Sequence, residues 1–305
     1  MSSLREPLSA QTIRAALFHV PFVQEVVYLP CAGSTNDAAR ELAAQNAPHA
    51  TLVVTDDQTA GRGRMGRSWY MPPRSALAMS ILVRPHLAAI HANRLTMLAG
   101  LAASEGVEQV TGLAVKLKWP NDVVLEAACA PLCGVGGWKL EVGAWEANQS
   151  LRVKKIGGIL TETSIAGDRI DYAVVGIGLN VNVDFADRPE LAETATSVML
   201  RAGREIDRLR VLAAVMDRFA ARFDGLNAGD ALCAAWSARL VTLGRRVEAR
   251  VGGSDDALLI GFAEAVDDDG ALLLRTDDGA SHRLLAADVT FHKGNLEGPG
   301  GLPGL

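Results

Sequence analysis

Aromatic residues fill only 5% of the 305 positions, too few for a protein that reads nucleic acid by stacking bases. Charge of the sign such a protein needs is short as well. There are 35 acidic and 30 basic side chains, a net charge of -5 and a pI near 5.7. Any basic patch is therefore local, which suits a small anion better than a polyanion. No apolar run reaches the roughly 18 residues that cross a bilayer. The opening MSSLREPLSAQTIRAALFHVPF has charges spread through it and lacks a signal-peptide core, so a cytoplasmic protein with no membrane partner is expected. Cysteine is scarce too. Cys31, Cys129, Cys133 and Cys233 include one pair four apart, but no second Cys/His pair at finger-like spacing. Reduced thiols are expected rather than a zinc site. There is no internal repeat.

What is present is an ordinary globular balance, 49% apolar and 21% charged, in a length that fits one large domain and a small one. Helices are expected over 11–20, from Ser34 through Leu42, over Asn93–Gly106, Glu205–Phe223 and Asp230–Leu240. In the second, Ser34 is placed to cap and Asp37 to act as a capping-box acid. Strands are expected at Val26–Leu29, Thr51–Thr55, Ala76–Val83, Lys116–Trp119, Val123–Leu125, Lys155–Thr163 and Tyr172–Val183. From Thr242 the pattern changes to short strands separated by GGSDD, DDDG and DDGA turns, as in a small all-β barrel. The Ala/Gly/Cys-rich stretch 126–152, with Trp138 and Trp145, reads as an insertion. The Gly/Pro-rich tail 294–305 reads as disordered.

Four short stretches carry chemistry. Gly61-Arg62-Gly63-Arg64-Met65-Gly66-Arg67 joins mobile backbone to arginine forks, a pairing suited to phosphate or carboxylate. No Gly-Lys-Ser/Thr follows, as a nucleotide P-loop would need, and no helix follows to complete a dinucleotide fingerprint. Taken alone, the stretch also fits a flexible surface loop or an RNA-binding segment. Lys116-Leu117-Lys118-Trp119-Pro120-Asn121-Asp122 puts a cation, an amide and a possible Mg²⁺ ligand together; it also fits a plain strand end with a turn. In Lys154-Lys155-Ile156-Gly157-Gly158 the lysines point to opposite faces, so one can be solvated while the other faces a site. In Gly176-Ile177-Gly178-Leu179-Asn180-Val181-Asn182 the glycines admit a ligand to the sheet, and the asparagines can read a base edge or an amide.

The order of these motifs says more than any one of them. Ser34-Thr35-Asn36, then QTAGRGRMGRSW from Gln58 to Trp69, KWPND, KIGGILTE and GIGLNVN closely resembles the biotin protein ligase family over Val26 to Val183, and again in the small C-terminal domain. The resemblance implies an α+β fold: a mixed sheet with helices on one face, related to class II aminoacyl-tRNA synthetases, over residues 1–241. An SH3-like barrel would follow over 242–293. It implies formation of biotinyl-5′-AMP from biotin and ATP with Mg²⁺, then transfer of biotin to a lysine of the biotin carboxyl carrier protein of acetyl-CoA carboxylase or a related carboxylase. A homodimer through the sheet is common in the family.

Site roles follow from the same resemblance. Ser34, Thr35, Asn36 and Gln58 correspond to the segment that holds the biotin ring, with Gly158 beside it. Gly61 to Gly66, including Gly63, corresponds to a disordered loop that orders over the ligand. In it Arg62 and Arg64 would hold the biotin carboxylate and the phosphate, and Trp69 would pack at its hinge. Lys118, Asn121 and Asp122 match the triphosphate and metal end, with Asp122 the Mg²⁺ ligand. Lys155 matches the lysine that contacts biotin and the α-phosphate, and with Arg64 it is the catalytic pair. Asn180 would sit near the adenosine. Ala195-Thr196-Ser197 and Arg201 fall where the family has an adenine-covering loop. Fewer than 30 residues precede the first motif strand, so the repressor subclass's helix-turn-helix, and operator binding with it, are not expected. A lipoate or octanoate enzyme of the same superfamily is the nearest rival, and the complete GRGRMG and KWPND motifs argue against it.

Overall fold

The structure, a computed structural model, describes residues 6–126, 153–230, 232–252 and 257–292. Apart from Glu126, the expected insertion lies outside the described residues, as do Cys129, Cys133 and the tail. In chain order the elements are α1 Ala10–Ala16, β1 Glu25–Leu29, α2 Thr35–Ala44, β2 Thr51–Thr55, β3 Leu77–Val83, α3 Asn93–Thr111, β4 Val115–Lys118, β5 Asp122–Glu126, β6 Val153–Ala166 and β7 Arg169–Leu179. There follow α4 Pro189–Ala192, α5 Val198–Ala202, α6 Arg208–Ala228, α7 Cys233–Ser237, β8 Arg245–Val251, β9 Ala257–Val266, β10 Leu272–Thr276, β11 Ser281–Leu284 and β12 Asp288–Phe291.

Seven strands form a mixed sheet in the order β1-β2-β3-β7-β6-β5-β4. Only β1 and β2 run parallel, because α2 carries the chain back between them; the other neighbours are antiparallel. Side-chain alternation separates the faces. Leu77, Met79, Ile81 and Val83 of β3, with Val175, Ile177 and Leu179 of β7, join the large core beneath α3 and α6. On the other face Val53, Leu82 and Val174 pack against Ala39 and Ala43 of α2. The main helical layer is thus on one face, as expected, while α2 alone covers part of the other and leaves the rest of that face open as a cleft.

Helix α1 ends earlier than expected, at Ala16, and α3 later, at Thr111; two other boundaries and one cap differ for local reasons. Helix α6 starts at Arg208 because the Asp207 carboxylate accepts the Leu209 and Arg210 N–H groups, capping it there. Helix α7 ends at Ser237 because the chain leaves it to serve the free edge of β4: Leu117 N–H donates to Arg239 and Leu117 O accepts from Val241. Ser34 precedes α2, but its side chain makes no capping bond, and Asp37 is engaged by arginines instead.

Residues Arg245–Phe291 form a second, antiparallel sheet in the order β11-β10-β9-β8-β12. It is fastened to the first by Trp119, which is 1% exposed. The Trp119 backbone N–H donates to Thr242 Oγ1 (2.9 Å) and its indole Nε1–H to Gly270 O (2.9 Å). Asn93 and Arg94 at the start of α3 bond Asp269 in the same turn.

Candidate active site

The open face of the large sheet, closed at one side by β12, holds a cleft of about 1020 Å³. Its floor is β7. Alternate residues there face the cleft roughly 6.8 Å apart, and each meets a different partner. A Cβ on Gly176 would collide with Asn36 Oδ1. One on Gly178 would lie 3.1 Å from Trp69 Cε2. Asn180, next along, donates from Nδ2 to Thr196 O (3.2 Å). The glycines are therefore needed for space: a side chain at either would push a cleft-lining group from its place.

At the Gly176 end the polar side chains brace one another. Thr35 N–H and Oγ1–H both donate to Gln58 Oε1, and Ser80 Oγ lies 2.7 Å from both Thr35 Oγ1 and Asn36 Oδ1. Asn36 Nδ2 donates to Leu160 O and to Glu162 Oε2 (2.7 Å). Asn36 is thus largely committed within the protein, while the buried, non-capping Ser34 hydroxyl faces the cleft. Ser80 escaped the sequence reading, and Glu162 was quoted there without a role. A serine inside ALAMSILV carries no motif, and the glutamate that closes KIGGILTE was given no role of its own; only the fold brings them to Asn36.

Cations crowd the middle. Lys155 Nζ lies 2.5 Å from Asp122 Oδ1 and 5.5 Å from the centre of the Trp69 ring. A bulge in β6, where register slips opposite Val123 and Val124, turns Lys155 and Gly158 to the cleft together although they are three apart. Lys154 is half-buried, and its Nζ donates to Ala192 O. Lys118 lies over the Phe291 ring, 5.6 Å from its centre. Burial pushes the Lys118 ammonium below the usual lysine range, against the pull of Asp122 and Asp288. Burial likewise lowers the Arg64 guanidinium, again opposed by Asp122 and Asp288, but an arginine keeps its charge. Three cations near few carboxylates, partly out of water, form a site that an anion would complete.

The Gly/Arg stretch is folded as a hairpin rather than an open loop. Gly63 N–H donates to Arg67 O and Trp69 N–H to Gly61 O. The turn has φ +56° at Met65 and +70° at Gly66, the two left-handed positions of a type I′ turn. Arg62 is turned to Asp37 (2.6 Å), and Arg67 pairs with Asp288. Gly61 lies buried beneath the hairpin, and the other predicted site residues line the cleft. Asn121, just ahead of β5, is held by the neighbouring β6, donating from Nδ2 to Ile159 O (2.7 Å). Asn182 is fully buried and bonds both ways with the Ile206 backbone, so of the two asparagines only Asn180 faces the cleft. Among the described residues its Oδ1 is buried without a hydrogen-bond partner, as is Trp69 Nε1. Ala195 and Thr196 pair with Lys155 through backbone, while Arg201 reaches Glu126 O instead. Asp288 and Phe291 also line the site; nothing in SHRLLAADVTFH marks them.

Comparison with known proteins agrees with this layout. Residues 28–180 match the biotin/lipoate A/B protein ligase family, and residues 242–291 match the biotin protein ligase C terminal domain. The chain is 34% identical over 285 residues to the bifunctional ligase/repressor BirA of Bacillus subtilis, covering 92% of this chain and 78% of that one. It is 33% identical to the biotin--[acetyl-CoA-carboxylase] ligase of Paracoccus denitrificans, covering 85% and 97%. Among solved structures, the biotin protein ligase from Aquifex aeolicus in complex with biotin and ATP superposes with a TM-score of 0.67 at 25% identity, over 89% of this chain and 100% of that one. The second domain match separates biotin from lipoate enzymes within the broader family: this chain belongs to the biotin protein ligases.

Proposed function

We propose that the chain joins biotin to ATP as biotinyl-5′-AMP, releasing pyrophosphate, and then passes the biotinyl group to one lysine of a biotin carboxyl carrier protein. The observation that carries this is the convergence of Lys155, Lys118 and Arg64 midway along a glycine floor. One end of that floor is braced by Thr35, Asn36 and Gln58, and the other holds the orphaned Asn180 oxygen. A long ligand with polar groups at both ends and anions in the middle fits such a groove.

In the first step a biotin carboxylate oxygen attacks the α-phosphorus and the bond to pyrophosphate breaks. The carboxylate is already ionised near pH 7, so no base is needed. Two anions must meet, and negative charge spreads over the phosphoryl oxygens as they do. Lys155, held by Asp122, and Arg64, facing the cleft from the hairpin, stabilise that charge, and Lys118 takes the departing polyphosphate. Asn180 Oδ1 is an acceptor suited to the adenine amino group. In the second step the carrier's lysine nitrogen attacks the biotinyl carbonyl, AMP leaves and the amine loses a proton.

Among the described residues no three His, Cys, Asp or Glu side chains converge as a metal cage. One carboxylate beside a polyphosphate site suits Mg²⁺, which prefers one or two carboxylates plus phosphate oxygens, so Asp122 would hold it. Bound there, it would neutralise charge on the polyphosphate.

The test is covalent labelling. Protein, biotin, ATP and Mg²⁺ are incubated with a biotin carboxyl carrier domain, and the carrier is weighed by mass spectrometry. One biotinyl group on a single lysine supports the reading. An unmodified carrier, or a lipoyl adduct when lipoate is supplied instead, contradicts it.

A further inference from the structure

The three arginines of the hairpin are not equivalent. Arg62 is held at one rim by Asp37 of α2 (2.6 Å), with Glu162 of β6 3.8 Å away. Arg67 is held at the opposite rim by Asp288 of β12, in the second sheet. The tip leans the same way: Met65 Cε lies 3.6 Å from where a Cβ on Gly252 would be. Between the two anchors Arg64 faces the cleft, partly buried, and among the described residues its guanidinium makes no ion pair or hydrogen bond. The hairpin is a strap tied at both ends with one arginine left for the ligand.

We propose that Asp288 is a positioning residue for the ligase reaction: by holding Arg67 it keeps the hairpin across the cleft and aims Arg64 at the reacting carboxylate and phosphate, while Asp37 holds Arg62 at the other rim. The proposal rests on the function proposed above. It adds that the C-terminal sheet completes the adenylate site, and it makes Arg62 an anchor rather than a ligand contact.

The anchor itself is steady. β12 is paired with β8 from Asp288↔Arg250 to Phe291↔Val247, and Phe291 packs under Lys118. The Arg67–Asp288 pair is half-exposed, 62% and 31%, so its attraction is modest and salt-sensitive. A surface loop opens at little cost, so a modest tie is enough to shift it. Arg67 also holds the Asp288 carboxyl below the usual carboxylate range, so the tie persists throughout the neutral range.

The test compares wild type with Asp288→Asn, Asp288→Glu, Arg67→Glu and the exchanged pair Arg67→Asp with Asp288→Arg. Two quantities are read: escape of preformed biotinyl-AMP from the protein, and tryptic cutting after Arg62, Arg64 or Arg67 in protein without ligand. Asp288→Asn and Arg67→Glu should each speed both about three- to fivefold at low salt. Asp288→Glu and the exchanged pair should return toward wild type, and the differences should fade by about 0.5 M salt. Unchanged escape and cutting in Asp288→Asn, or an effect that neither exchange nor salt alters, overturns the proposal. Wild type that forms no adenylate with biotin overturns the parent reading instead, and the tryptic pattern separates the two failures because it needs no ligand.

Discussion

Lys155 and Lys118 are both cations in one cleft, but their surroundings assign them different work. Lys155 is paired with Asp122 and faces the Trp69 ring. Removing it takes away a fixed charge where negative charge develops, so Lys155→Ala should slow adenylation about 100-fold or more; a circular dichroism spectrum like wild type would show that the fold is kept. Lys118 is buried enough to lower its pKa. A lysine whose folded pKa lies below its unfolded pKa destabilises the fold; the cost is full at pH values under the folded pKa and shrinks as pH rises from there to the unfolded pKa. Lys118→Met should therefore raise Tm at pH 7, by about 2 °C, while raising the KM for ATP about tenfold. With wild type, ATP binding should weaken at a lower pH than an ordinary lysine would dictate. These two residues were legible in the sequence because each sits in a motif with its neighbours. Asp288, Phe291 and Ser80 were not, since their importance comes only from what the fold brings opposite them.

At the scale of the element, the strand register does what the motif alone could not show. The alternation of β7 sends Gly176, Gly178 and Asn180 to the cleft, and the β6 bulge brings Lys155 round to the same face. The sequence showed glycines and lysines on strands, but not the bulge, which depends on pairing with β5. Nor did it separate the two asparagines of GIGLNVN. Asn182 exchanges hydrogen bonds with Ile206 and fixes the entry to α6, whereas Asn180 makes one bond and leaves its oxygen over. Asn182→Ala should cost about 2–3 kcal/mol, because it strands a buried N–H and C=O. Asn180→Ala should cost less stability and act mainly on the KM for ATP. Urea unfolding with an unchanged m-value reads the first, and substrate titration the second.

At the scale of the whole molecule, the described residues form two sheets that share a cleft. The break in pattern near Thr242 was visible in the sequence, but not what joins the two sides of it. Trp119, read only as part of KWPND, is a pin across that boundary, bonded to Thr242 and Gly270. Trp119→Phe keeps a ring but leaves the buried Gly270 carbonyl without its donor. It should lower stability by about 1–3 kcal/mol and weaken ATP use as β12 loosens over the cleft. Thermal unfolding and ATP titration together would show both effects; loss of stability with ATP use intact would mean that the second sheet is only a neighbour.

The account stands most directly on the first chemical step. Exchange of labelled pyrophosphate into ATP, with Mg²⁺ and with biotin, lipoate or octanoate in parallel, isolates that step from any carrier. Exchange that depends on biotin and not on the other two acids is the predicted result; exchange with lipoate or octanoate alone, or with no acid at all, would contradict it.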